Sequence, residues 1–208
     1  MTSSEGQFVD NLSGTDSINP KRYIPFTQQR YCCVGASLQS VIERRGYKLI
    51  AQEELAAKLG LIVPEEDSYL LPHARTGQRP SAGYGTQINE PQYNPNTVFT
   101  ELGYPLSFEI ILPNTADGLS EMLHRVQDSD DDALLCFDYG ELWDTGNQGG
   151  HVCVFASISG GAVTMIDPVA NVPKFREASV GRLFKAMDVH GERNSAGIWL
   201  IKDRRGNE

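Results

Sequence analysis

The sequence has no run of about 18 apolar residues, the length that a membrane-spanning helix requires. It has no surplus of positive charge either: 18 Lys and Arg stand against 27 Asp and Glu, a formal net charge of −9. Phosphate partners need a basic face, so this balance argues against a general nucleic-acid binder. Cysteine is scarce. Cys32, Cys33, Cys136 and Cys153 are too few to staple a chain of 208 residues, and reduced thiols are the simpler expectation. No C-x-x-C pair and no second Cys/His pair occurs, so no metal site and no cofactor is expected. Met1 to Asn19 lacks the charged start and apolar middle of a secretory signal, which points to a soluble, cytoplasmic protein. Export by another route would leave no such mark. Internal repeats are also missing.

What is present is an ordinary globular composition, 40% hydrophobic and 22% charged, long enough to bury a core. Residues 1–20 are polar and are expected to form a flexible tail. Residues 21–202 are expected to form one domain, and 203–208 a charged tail. Tyr23-Ile24-Pro25-Phe26 suits an edge strand or an extended entry into the core. Val34, Leu38, Val41 and Ile42 fall at helical spacing, and Gly46 marks the stop. A short helix over Gln52–Leu59 ends at Gly60. From Pro64 to Pro95 the chain is rich in Pro, Gly, Ser and Asn, with Tyr69, Tyr84 and Tyr93; it is either a substrate-contacting lid or an ordinary loop. Asn96–Gly103 suits a capped helical turn or two.

Strand candidates then accumulate at Leu106–Leu112, Ala133–Phe137, His151–Ile158, Ala162–Ile166 and Ile198–Ile201. Helices are expected near Leu119–Val126 and Val180–Met187, and Asp128–Asp132 reads as a solvated acidic link. Helices first and an antiparallel sheet second is an α+β pattern.

Three separated residues carry the chemistry. Cys33 stands one residue before the helical stripe begins, where free N–H groups and the helix dipole favour a thiolate. His151 opens a strand behind Gly149-Gly150, which would let a substrate backbone approach closely. Asp167 follows sixteen residues later. A hairpin turning at Ser159-Gly160-Gly161 pairs residue 151 roughly with residue 169, which brings Asp167 near His151. Nucleophile, base and base-orienting carboxylate make a thiol acyl-transfer constellation. Cys32 is the rival nucleophile at this point. Cys136 and Cys153, in apolar strands, are expected to be structural, and His73, His124 and His190 to lie at the surface. Gly150 and Trp143 are the candidate substrate contacts, although Trp143 serves equally well as packing.

Gln28 or Gln29, Cys33-Val34-Gly35-Ala36, Glu53-Glu54-Leu55-Ala56, Gly150-His151 and Asp167-Pro168 stand in one order over roughly residues 24–170. This set resembles the papain-like cysteine peptidases, and among them the bacteriocin-processing, double-glycine peptidase branch. The resemblance implies a papain-like fold with N-terminal helices packed on a C-terminal antiparallel sheet. It implies Cys33 as nucleophile, in preference to Cys32, with His151 as general base and Asp167 as its orienter. A glutamine side chain, assigned to Gln28, would stabilise the oxyanion with the Cys33 backbone N–H.

Two departures stand out. Val34 replaces a glycine of the branch, a side chain expected to narrow the cleft. The glutamine lies five (Gln28) or four (Gln29) residues before the cysteine, where the family has six. The implied activity is cysteine peptidase on peptide or protein substrates, without nucleic acid or membrane. The same constellation serves a deamidase or transglutaminase, and a non-catalytic peptide-binding module of this fold is the alternative. Many relatives in the branch are fused to membrane exporters, whereas a stand-alone enzyme is expected here.

Overall fold

The protein is described by a computed structural model covering residues 13–80, 83–146 and 149–207. In chain order the elements are α1 (Ser13–Ile18), α2 (Cys33–Arg44), α3 (Gln52–Lys58), β1 (Ile62–Val63), β2 (Arg75–Thr76), α4 (Pro95–Glu101), β3 (Leu106–Ile111) and α5 (Ala116–Asp128). They continue with β4 (Asp132–Asp138), α6 (Tyr139–Trp143), β5 (Gly150–Ser159), β6 (Ala162–Ile166), β7 (Phe175–Ser179), α7 (Val180–His190) and β8 (Gly197–Asp203). Six strands form one antiparallel sheet in the order β3-β8-β4-β5-β6-β7. β1 and β2 pair separately, in parallel.

Alternation of side chains along the central strands sends residues to two different cores. Leu134 and Cys136 of β4, Val152 and Val154 of β5 and Trp199 of β8 meet Val34, Leu38, Val41 and Ile42 of α2 on one face. Leu135, Phe137, Cys153, Phe155 and Ile198 meet Leu119 and Leu123 of α5 and Leu183 and Met187 of α7 on the other. A strand covered on both faces reads as an unbroken apolar run, which is why Ala133–Phe137 shows no polar alternation. The fold is therefore α+β and papain-like in layout, with the Cys33-bearing helix α2 against an antiparallel sheet. The helices are not confined to the first half, because α5, α6 and α7 cover the far face.

Gly160 (φ +57°) and Gly161 (φ +78°) form the two-residue turn of the β5–β6 hairpin, where Ser159 faces Ala162. Both positions need a left-handed backbone that glycine adopts without strain. A bulge between Phe155 and Ser157 shifts the register by one, so Val154 faces Ile166. No helix among the described residues is long and apolar enough to cross a membrane.

Several expectations change. Residues 1–12 of the expected tail lie outside the described residues, but α1 occupies 13–18, and Lys21 Nζ donates to the Val126 carbonyl at 2.8 Å. The acidic link is not uniformly solvated. Asp132 is fully buried and accepts from Tyr23 Oη (2.6 Å), Arg44 Nη1 (3.0 Å) and Arg45 Nε (2.6 Å), because the end of α2 packs over the start of β4. Of the expected charged tail, Asp203 belongs to β8 and accepts from Tyr47 Oη at 2.8 Å, and Glu208 lies outside the described residues. Residues 23–26 belong to no helix or strand, and Tyr23 is buried in the core.

Candidate active site

Cys33 is the first residue of α2, and its buried neighbour Cys32 caps the helix without a side-chain bond. The two adjacent thiols occupy opposite environments. Cys32 plugs a small apolar cluster with Ala56, Leu61, Val63 and Leu71, and burial pushes its thiol up to about 12. Cys33 faces a cavity instead. Burial pushes its thiol up as well, but the imidazole of His151 and the backbone N–H groups of Val152 and Val34 outweigh that and hold it below the ordinary value. Those N–H groups stabilise the anion directly, and two of the three donors come from β5, which passes beside the mouth of α2.

His151 sits in β5, nearly buried, with Nε2 at 2.9 Å from Asp167 Oδ1. Nδ1 is then the ring nitrogen that Asp167 does not hold. Burial disfavours a charged imidazole; Cys153, Asp167 and Cys33 oppose it, and the net direction is well above the ordinary value. Burial raises the Cys153 thiol to about 11, leaving it neutral at pH 7, so Asp167 is the anionic partner. Tyr139 and Phe137 flank the ring edge-on, with centroids at 4.9 and 5.9 Å, and limit its rotation.

Asp167 is fully buried, two residues short of the position that the hairpin register sets opposite His151. It also accepts from the Val169 N–H (3.0 Å) and from Arg176 Nη1 (2.8 Å). Burial raises its carboxyl, but His151, Val169 and Arg176 bring it below the usual range, so it stays ionised. Arg176 carries no sequence signal. It comes from the short polar strand β7 at the sheet edge, and no periodicity marks Phe175–Ser179.

Gln28 lines the cavity beside Cys33, its backbone N–H donating to the Pro168 carbonyl at 2.8 Å. Its side-chain Oε1 is buried with no hydrogen-bond partner among the described residues. Gln29 is exposed, and its N–H is held by Gln52 Oε1 at 2.5 Å. Gly150 lines the cavity too, but for a further reason: a Cβ there would lie 2.5 Å from His190 Cε1. His190, expected at the surface, is a half-buried cavity wall, and burial lowers its pKa. His73 and His124 are exposed as expected. Trp143 does not reach the cavity. Its ring stacks under the Arg176 guanidinium at 3.5 Å, behind Asp167.

The cavity measures about 290 Å³. Its wall opposite β5 is Tyr84–Glu90, the end of the long Pro- and Gly-rich excursion. Val34, Ile88, Cys136, Val152 and Trp199 are its buried apolar residues. A volume of that size suits one or two amino-acid residues rather than a large cofactor.

His151, Cys153 and Asp167 put one potential ligand atom each within 4.8 Å of the others. The set does not suit a cation: Asp167 already serves His151, Val169 and Arg176, and the guanidinium at 2.8 Å repels positive charge.

No protein-family profile and no curated protein matches the sequence. Solved structures do. A protein from Bacillus anthracis described as a C39-like peptidase superposes with a TM-score of 0.57 at 15% identity, over 89% of this chain and 97% of that one. The peptidase domain of Streptococcus ComA, a bifunctional ABC transporter of a quorum-sensing pathway, gives 0.48 at 14% identity over 87% and 97%. With its six-stranded antiparallel sheet and the Cys33 helix against it, the chain has the papain-like fold of the C39-like peptidase structure.

Proposed function

We propose that this protein is a cysteine peptidase that cleaves peptide amides through a thioester on Cys33. The observation that carries the reading is Cys33 and His151 lining one cavity, with the buried Asp167 carboxylate behind the imidazole at 2.9 Å. In this reading the Cys33 thiolate attacks the substrate carbonyl carbon, and the C=O electrons move onto oxygen. The Cys33 N–H and the side-chain NH₂ of Gln28 would be the donors to that oxyanion. His151 then gives its proton to the departing amine as the C–N bond breaks. Water, deprotonated by the same imidazole, resolves the thioester and restores the thiolate. Asp167, kept ionised by His151, Val169 and Arg176, holds the ring with Nδ1 toward the sulfur.

The test is incubation with a defined peptide mixture, read by mass spectrometry against Cys33→Ala. Matched new amino and carboxyl termini that vanish in the variant support peptidase action. A mass gain of about 1 Da at glutamine without chain cleavage would make it a deamidase, and incorporation of an added amine a transglutaminase. If the wild type and the variant both leave every peptide intact while retaining peptides equally, the fold is serving as a binding module and the peptidase reading is wrong.

A further inference from the structure

The segment that carries Gln28 and Cys33 is not held by its own helix alone. Between them Tyr31 adopts φ +64°, a left-handed backbone that a bulky side chain occupies only when its surroundings impose it. What imposes it comes from 36 residues away. Asp67, in the 3-10 turn Glu65–Leu70, accepts from Tyr31 Oη with Oδ2 at 2.7 Å and from Arg30 Nη1 with Oδ1 at 2.7 Å. Its side chain is only 8% exposed. A carboxylate buried in a loop is costly unless its oxygens are matched, and here each oxygen takes one of two consecutive residues of the nucleophile turn.

The neighbourhood supports the same conclusion. Leu61, Val63 and Leu71, on either side of the 3-10 turn, form the apolar cluster into which Cys32 inserts. Tyr84 packs edge-on against the Tyr31 ring at 6.4 Å. Burial and the Asp67 bond keep the Tyr31 hydroxyl protonated, so it remains a donor. The excursion after residue 60 therefore grips the turn at Arg30, Tyr31 and Cys32, one after another.

We propose, resting on the peptidase reading above, that Asp67 is a positioning residue for the oxyanion side of the site. By clamping Arg30 and Tyr31 it fixes the left-handed turn that sets the Gln28 amide and the Cys33 N–H at their angles. Asp67 hydrogen-bonds neither Cys33 nor His151, so its influence passes through Arg30 and Tyr31. It should thus affect only reactions in which charge develops on a carbonyl oxygen.

Two reactions of the full chain separate these effects. Iodoacetamide alkylates the Cys33 sulfur by displacing iodide and develops no oxyanion. With p-nitrophenyl acetate the Cys33 sulfur bonds to the acetyl carbon, the ester C–O bond breaks, p-nitrophenolate leaves, and an oxyanion forms on the way. Asp67→Asn presents an NH₂ to one of its two donors and breaks half the clamp. The expected result is an acylation rate at least ten-fold lower with an alkylation rate changed less than two-fold. Tyr31→Phe, a milder variant, should move acylation in the same direction. In a Tyr31→Gly background Asp67→Asn should add little, because glycine takes a positive φ unaided.

Unchanged acylation in both Asp67→Asn and Tyr31→Phe overturns the positioning role alone, as does an equal fall in acylation and alkylation. A wild type that is alkylated at Cys33 but never acylated overturns the peptidase reading, and the positioning role with it.

Discussion

Gly35 stands two residues beyond Cys33, on the buried face of α2, and replacing it with alanine sets two effects of opposite sign against each other. Alanine in a helix interior is favoured over glycine by about 1 kcal/mol. A Cβ at this position, however, would lie 2.8 Å from the Gln52 carbonyl oxygen and 3.2 Å from Gln52 Cγ. The closer atom is backbone, at the start of α3, and cannot swing aside. Overpacking of this kind costs about 1–3 kcal/mol.

Gln52 is also a hub: its Oε1 accepts from the Gln29 N–H, and its Nε2 donates to the Thr27 carbonyl and to Gln39 Oε1. Displacing it weakens bonds worth about 0.5–1.5 kcal/mol each. The clash wins, and Gly35→Ala should destabilise by about 1–2 kcal/mol, with Tm falling about 2–4 °C for each kcal/mol in a chain of this size. Urea titration followed by far-UV circular dichroism reads the shift in midpoint. Gly181→Ala is the control. It lies in α7 and is exposed, a Cβ there meets nothing within 4 Å, and the variant should be stabilised by a few tenths of a kcal/mol up to about 1. If Gly35→Ala raised the midpoint as Gly181→Ala does, the tight contact between α2 and α3 would be refuted.

Three further outcomes follow from the same geometry. Iodoacetamide at pH 6.5 should modify Cys33 ahead of the other thiols, since His151 lowers that thiol whereas burial raises Cys32 to about 12 and Cys153 to about 11; peptide mapping of His151→Ala should show the preference gone, and equal labelling of all four thiols in the wild type would contradict it. Asp167 has a depressed folded-state pKa, so the stability it contributes is present above the unfolded value of about 3.9 and is lost as pH falls through the folded one. Acid titrations of Asp167→Asn should accordingly lose that part of the slope; an acid limb identical to that of the wild type would count against the buried ionised carboxylate. Asp132→Ala leaves Arg44 and Arg45, whose side chains are 14% and 5% exposed, without their buried partner and with only the exposed Asp130 and, for Arg45, Asp203, and should cost about 3–5 kcal/mol in chemical denaturation; a loss below about 1 kcal/mol would mean that Asp130 and Asp203 suffice for those guanidiniums.

Local signals sufficed for the elements whose pattern repeats along the chain. Val34, Leu38, Val41 and Ile42 mark α2 because one helical face is buried. The Gly160-Gly161 turn marks the β5–β6 hairpin because two successive left-handed residues admit few alternatives. From that turn alone, counting back along both strands brings His151 and Asp167 together, and they lie 2.9 Å apart. Glycine and cysteine positions were less transparent. Gly150 reads as room for a substrate, whereas the His190 ring that occupies the space comes from a helix some 40 residues later in the sequence. Cys32 and Cys33 are chemically identical in sequence and differ only in which way each points, into the Leu61, Val63 and Leu71 cluster or into the cavity.

The sequence by itself determined the helix that carries Cys33, the hairpin that joins His151 to Asp167, and the α+β class, since each follows from the period of a continuous stretch. Tertiary structure alone decided which carboxylate of the acidic run is buried, why Trp143 matters, and what Asp67 holds. Asp132, Arg176 and Asp67 have no local pattern to betray them. Asp132 and Asp67 take their roles from partners far along the chain and Arg176 from a carboxylate on a neighbouring segment, and a buried charge is tolerable only once folding has brought that partner within hydrogen-bonding distance.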